Sequence, residues 1–279
     1  MKLKSKLNKS VFLRLLNKLR EDDIFALGSQ LAYSLLLAFF PFLIFLMTVI
    51  GFSSVTSSDV LFNLEKILPG PAYELISTTI VEIFDSQNSD LLSFSLLITI
   101  WVSSNGFYAV IKGLNKAYAD NEERPFWKLR ITSILCTFVL ILMIIFSLLL
   151  LVLGNLLGIY LTRWLNLSSS FNLFWQILRY ILTLISMVFT FAIIYILTPT
   201  RNLVLKQVLP GAVFATIGWI LVSIGFAFYV DNFNNYSRVY GSIGAVIILM
   251  IWLFLSSVIL LIGGEINSLY NDTKNKLTS

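Results

Sequence analysis

Six apolar runs, each about twenty residues or longer, alternate along the chain with polar or charged stretches. Twenty helical residues at about 1.5 Å each reach roughly 30 Å, the depth of a bilayer's hydrocarbon core. The pattern therefore predicts an all-α polytopic membrane protein with six transmembrane helices, at about residues 31–52, 91–111, 131–156, 177–197, 208–230 and 243–263. The third run stays apolar as far as Tyr160, more than one crossing needs, which predicts a tilted or projecting helix. Pro41, near the middle of the first span, removes an intrahelical hydrogen bond and kinks the helix. Broken helices of that kind line substrate sites in transporters, although proline is also commoner in spanning helices generally. Asn105 in the second span either bonds a neighbouring helix or contacts a substrate. In the fifth span Gly211, Gly218 and Gly225 fall seven apart, with Ala215 beside them. They form one small-residue face for a partner helix, the sixth being the candidate.

Between and outside the spans the pattern changes. Residues 1–30 form a basic amphipathic segment, with Lys2, Lys4, Lys6, Lys9, Arg14, Lys18 and Arg20 interleaved with Val11, Phe12, Leu15, Leu16 and Leu19 at helical spacing. This fits a helix lying among the headgroups of an anionic leaflet, with anionic lipids as its partner; a solvated leader is the alternative. Asp22 and Asp23 then read as helix-start residues. Residues 53–90 form a long acidic loop whose periodicity suggests two amphipathic interfacial helices broken at Pro69-Gly70-Pro71, serving as a lid or a structural cap. Trp164, Phe171, Phe174 and Trp175 are placed like an interfacial belt, and residues 268–279 form a polar tail.

Charge orients the helices. Lys66, Arg163, Arg179 and Arg238 fall in one set of alternate segments, and every other Lys and Arg falls in the other set, which includes both termini. By the positive-inside rule both termini are cytoplasmic and the acidic loop faces outward. Composition agrees with a plasma-membrane location: 57% of residues are apolar and only 13% charged, against roughly 25% charged in a soluble domain. The net charge of +5 therefore belongs to cytoplasmic loops and predicts no nucleic-acid partner. The first apolar run lacks a small-residue cleavage site and reads as a retained helix.

Candidate chemistry is thin. The single cysteine, Cys136, excludes an intrachain disulfide. The absence of histidine removes histidine acid–base catalysis, histidine-containing metal sites and Ser-His-Asp triads. No metal cluster, phosphate-cradling glycine loop or nucleophile–base pair stands out, so no catalytic residue, metal or cofactor is expected. The ionisable candidates frame the last span. Asp231 and Arg238 lie near one membrane face and Glu265 near the other, and such residues often mark pathways. Alternatively, Asp231 and Arg238 lie in solvated loop, while Glu265 pairs with a nearby lysine or caps a neighbouring helix. Tyr236 and Tyr240 read as interfacial anchors or as ligands, and Gly241 as a helix-packing residue.

The chain resembles the YihY / virulence factor BrkB family of bacterial membrane proteins, once labelled ribonuclease BN. The similarity rests on Leu31-Ala32-Tyr33 with Phe40-Pro41, on Leu114-Asn115-Lys116-Ala117-Tyr118, and on Glu123-Arg124-Pro125. Pro199 with Arg201 and Leu209-Pro210-Gly211-Ala212 continue it. Tyr236-Ser237-Arg238-Val239-Tyr240-Gly241-Ser242, Trp252 and the Gly-Gly-Glu-Ile-Asn ending at Asn267 are the most specific parts. Departures are Ala38, where the family tends to carry serine, and Gly264, where it favours alanine. The resemblance implies a six-span inner-membrane protein linked to envelope integrity, with no established catalytic residues to carry over. The ribonuclease label implies histidine-rich zinc ligation, which a chain without histidine cannot supply. Two functions remain open: a transporter or flippase-like protein for a lipid or amphipathic solute, and a non-transporting scaffold for envelope assembly. Small-residue faces permit a homo-oligomer.

Overall fold

The computed structural model describes residues 13–51, 58, 61, 73, 77, 81, 89–118, 122–148, 150, 154, 169–232 and 243–278. Among the described residues, seven helices can be followed continuously: residues 13–21 (α1), Ile24–Gly51 (α2), Ser89–Ala117 (α3), Phe126–Leu148 (α4), Ser169–Leu197 (α5), Leu205–Asn232 (α6) and Ile243–Thr278 (α7). No strand occurs among the described residues. Helices α2 to α7 are each long and apolar enough to cross a bilayer. A helix satisfies its backbone internally, which is what a solvent of hydrocarbon demands. The acidic loop falls almost wholly outside the described residues, as do Arg238, Tyr240 and Gly241.

Local chemistry sets the helix ends. Asp23 adopts a left-handed backbone (φ 51°), a conformation that Asp tolerates better than most side chains. There α1 stops and α2 starts, with the Leu27 N–H donating to the Asp23 carbonyl. Pro125 opens α4, its carbonyl accepting from the N–H groups of Lys128 and Leu129. Pro199 follows the last turn of α5, where it cannot continue the helix. Several helices overrun their apolar cores. The first long helix begins at residue 24, ahead of the apolar run that starts near 31, and the last stays helical to Thr278, past the end of its apolar run near 263. Gly263 and Gly264 do not stop α7, because both lie buried against neighbouring helices. Pro41 likewise sits inside a continuous α2.

Each helix packs on the next, and α7 returns to α2, so the six spans close into a ring; α7 also touches α3. The core lies where these helices meet and includes Leu31, Phe107, Leu114, Tyr195, Val208 and Leu261. Outward, α3 exposes Phe94, Leu97 and Trp101, α4 exposes Leu135, Phe138 and Leu142, and α6 exposes Leu221, Ile224 and Phe228. Contiguous apolar surface on this scale is not stable in water. The chain is a multi-pass membrane protein whose partner is the lipid bilayer.

The glycine face of α6 meets α7 as the spacing predicts, but unevenly. A Cβ at Gly211 would collide with the Gly263 carbonyl oxygen, and one at Gly218 would lie 3.2 Å from Ile259, whereas Gly225 has no described atom within 4 Å. The face is tight at Gly211 and open at Gly225, although Trp252 of α7 still donates to the Ser223 hydroxyl of α6 at 3.1 Å.

A candidate functional site at the basic end of the bundle

The tight end of that seam coincides with the end of the bundle where α3 and α5 finish and α4 and α6 start. A buried polar knot occupies it. The last carbonyls of a helix have no intrahelical donor and carry the negative end of its dipole. For α3 one of these is Ala117, and it accepts from Lys18 Nζ at 2.6 Å and Ser268 Oγ at 2.6 Å. Lys18 also donates to Ser268 Oγ at 2.8 Å and lies 3.7 Å from Glu265 Oε2. Glu265 is 0% exposed, and neither carboxyl oxygen has a hydrogen-bond donor among the described residues. Asp22, also buried, brings a second carboxyl beside it. One lysine from α1 thus meets the Glu265 carboxyl, with the Asp22 carboxyl beside it, where α1, α3 and α7 come together.

Around this centre, polar side chains tie the helix ends together. Asn115 Nδ2 donates to Glu122 at 2.5 Å, and its Oδ1 accepts the Thr200 N–H at 2.8 Å. Arg124 forks onto Glu122 at 2.8 and 2.6 Å and reaches the Thr198 carbonyl at 2.7 Å. Arg201 donates to the Tyr118 carbonyl at 2.8 Å. On α7, Asn267 accepts the Gly211 N–H at 2.6 Å, and one turn later Asn271 donates to the Gln207 carbonyl at 3.5 Å. The Tyr195 hydroxyl donates to the Leu260 carbonyl at 2.6 Å.

The Arg124 fork holds the Glu122 carboxyl below its ordinary value of 4.5, and hydrogen bonds from the Arg124 backbone and Asn115 act the same way against a smaller cost of burial. A depressed folded-state pKa contributes stability that is fully present above the unfolded value and lost as pH falls through the folded one. Melting temperature in detergent should therefore fall on acidification below about 4.5. Glu122→Gln should flatten that acid limb relative to wild type. Parallel acid limbs would show that Glu122 is not a source of the loss.

The residues singled out from sequence are scattered through this structure. Glu265 lies at the centre of the knot, paired with a lysine. Asn105 is elsewhere, on the exposed side of α3, where its Oδ1 accepts from Arg130 Nη1 of α4 at 2.6 Å. Pro41 is half-buried in α2, and Asp231 lies in the last turn of α6, at the opposite end of the bundle from Glu265. Gly211 joins the knot through Asn267. Sequence reasoning read Lys18 as part of the basic amphipathic segment and Asp22 as a helix start, and gave no site role to Asn115, Glu122, Arg124 or Arg201. Their one legible signal was position: each is a polar residue just beyond or at the end of an apolar run. Among the described residues, no three His, Cys, Asp or Glu side chains are grouped as metal ligands.

The sequence pattern over residues 15–279 matches the family described as virulence factor BrkB. Among similar proteins, the ribonuclease-like protein YfkH of Bacillus subtilis is 40% identical over 247 residues, covering 88% of this chain and 90% of its own. UPF0761 membrane proteins of Alteromonas mediterranea and Pseudoalteromonas atlantica are 27% and 26% identical, covering 90% and 92% of this chain and 84% and 85% of theirs. No solved structure matches. Asn115, Arg124, Arg201 and Glu265, whose segments carried the resemblance in the sequence, are thus tied into one knot, and with a match across nearly its whole length the chain belongs to the virulence factor BrkB family of bacterial membrane proteins.

Proposed function

We propose that this protein is a transporter or flippase-like protein for a lipid or another amphipathic solute, with the Glu265–Lys18 pair as the latch of its basic end. One observation carries the reading: a carboxyl in a spanning helix, fully buried, with no hydrogen-bond donor among the described residues, facing a lysine from a peripheral helix and a second carboxyl, Asp22. Ionisable groups at membrane depth are costly and characteristically serve solute or proton movement. A pair that joins α1 to α7 across the end of α3 can open by withdrawing one side chain, which a purely apolar contact does not offer. On the positive-inside rule this end faces the cytoplasm, with both chain termini. The N-terminal basic segment is then placed to meet anionic lipids of the inner leaflet.

The reading leaves no place for catalysis. The word ribonuclease in the name of the Bacillus relative does not transfer, because a chain without histidine lacks the ligands that zinc-dependent RNA hydrolysis uses.

The test is reconstitution of the full chain into vesicles containing fluorescently labelled phospholipid, following transbilayer movement by dithionite quenching. Wild type should accelerate movement over protein-free vesicles, and Glu265→Gln should change the rate about tenfold or more, the equivalent of one strong charged interaction. Equal rates for wild type and Glu265→Gln would remove Glu265 from the mechanism. No acceleration for any lipid or amphipathic solute would instead favour the scaffold.

A further inference from the structure

Away from the knot, a cleft of about 240 Å³ opens on the outer wall between α2, α3 and α4. Gln30, Ser104, Asn105, Tyr108, Arg130 and Ser133 supply its polar lining. Arg130 is held there in a fixed pose. Its Nη1 donates to Asn105 Oδ1 at 2.6 Å, its Nη2 reaches the Trp101 carbonyl at 3.4 Å, and its guanidinium lies 4.1 Å from the centre of the Trp101 ring. None of the ion pairs among the described residues includes Arg130. The cleft therefore contains a pre-oriented guanidinium with no acidic partner among the described residues, the group best suited to a planar or tetrahedral oxyanion.

Depth and surroundings identify the anion's carrier. Arg130 lies one turn inside α4, about 6 Å along the helix from Phe126. Phe126 and Trp127 are 77% and 58% exposed, the placement of an interfacial aromatic girdle. Lys112 and Lys128 are exposed nearby in sequence on the same two helices. Deeper in the membrane, exposed Trp101, Leu97 and Phe94 of α3 run beside exposed Leu135, Phe138 and Leu142 of α4. A cation at headgroup level thus stands at the head of two apolar stripes.

We propose that this cleft binds the phosphate of an anionic phospholipid, with Arg130 holding the phosphate, the Asn105 amide N–H groups and Tyr108 hydroxyl flanking it, and the acyl chains lying along the α3–α4 seam. The site requires only that the bilayer surrounds the chain. A lipid that binds there and never crosses satisfies it, so it stands or falls apart from the transport reading. Soluble phosphate shares the headgroup chemistry but has no use for the apolar stripes.

Native mass spectrometry of the full chain in neutral detergent tests this by titration with phosphatidylglycerol, phosphatidylcholine and inorganic phosphate. Phosphatidylglycerol should bind wild type, and Arg130→Gln should weaken it about tenfold or more, the loss expected for a charge-assisted hydrogen-bonded contact. Asn105→Asp should weaken it similarly while keeping α3 tied to α4, because the new carboxylate neutralises Arg130 in place. Lys128→Gln, outside the cleft lining, should bind as wild type does. Retention of phosphatidylglycerol by Asn105→Asp overturns the proposal even if Arg130→Gln fails to fold. Displacement by inorganic phosphate at equal concentration would reassign the cleft to a soluble anion, and equally tight phosphatidylcholine binding would remove the preference for anionic headgroups.

Discussion

Replacing Lys18 with alanine should destabilise the folded bundle by up to about 3 kcal/mol, the low end of the cost of breaking a buried ion pair, because a quarter of the Lys18 side chain stays exposed. Lys18 is the cation paired with Glu265 among the described residues, and it also satisfies the Ala117 carbonyl and Ser268 hydroxyl. Its loss leaves a carboxylate with no exposure to water and a second carboxyl, Asp22, beside it. Glu265→Gln should cost less, because Lys18 keeps two neutral acceptors and the glutamine supplies its own donors. The double variant Lys18→Ala/Glu265→Gln should then be more stable than Lys18→Ala alone, a coupling that only groups in contact show. Denaturant or thermal unfolding in one detergent provides all three numbers. A Lys18→Ala protein within about 0.5 kcal/mol of wild type, the range of an ordinary surface substitution, would mean that the pair does not hold α1 to the bundle.

Gly211→Ala should be nearly as damaging, and Gly225→Ala on the same face should not be. At Gly211 the added methyl meets the carbonyl oxygen of Gly263, backbone that cannot rotate away, and the Asn267 side chain that accepts the Gly211 N–H. Overpacking of this kind costs about 1–3 kcal/mol, and a backbone obstacle puts it at the upper end. The α6–α7 seam must also spread, which pulls Asn267 off its donor. At Gly225 no described atom lies within 4 Å. Alanine there gains helix propensity, so equal stability or a gain of up to about 1 kcal/mol is expected. Unfolding midpoints of the two variants decide the matter. Equal losses would mean that a neighbouring group also fills the space at Gly225.

The legible and illegible parts of this protein divide along a physical line. The six spans were readable because each is a local property: enough consecutive apolar residues to cross a hydrocarbon layer, ended by charge, proline or glycine. The tight approach of α6 and α7 was readable at Gly211, because small residues at a fixed spacing can only mark a close neighbour. The open space at Gly225 was not, since spacing alone does not say which of three small residues meets a neighbour's backbone. The extension of α7 past Gly263-Gly264 was hidden for a related reason. Those glycines look like a stop, yet they are placed where Tyr195 and Leu114 press against the helix.

The N-terminal segment was harder to place. Leu13 and Leu16 are exposed, as an interfacial helix would have them, while Lys18 on the same helix turns inward to Glu265. The alternation of lysine and leucine could not distinguish a lysine facing water from one buried against a carboxylate. Asn115, Arg124 and Arg201 had the same ambiguity: each reads from sequence as a polar residue at a helix end, and they meet only because the ring closes.

By itself, the sequence determined that lipid is the solvent, how many times the chain crosses it, and where the positive charge gathers. Only the tertiary structure decided that Lys18 reaches Glu265, that Arg130 lines an outer cleft without an ion-pair partner among the described residues, and that Gly211 is locked while Gly225 is open. Hydropathy cannot settle these points because a lipid tail and a neighbouring helix are equally apolar, so the identity of each helix's neighbours is carried by packing and by the few polar groups that must find partners.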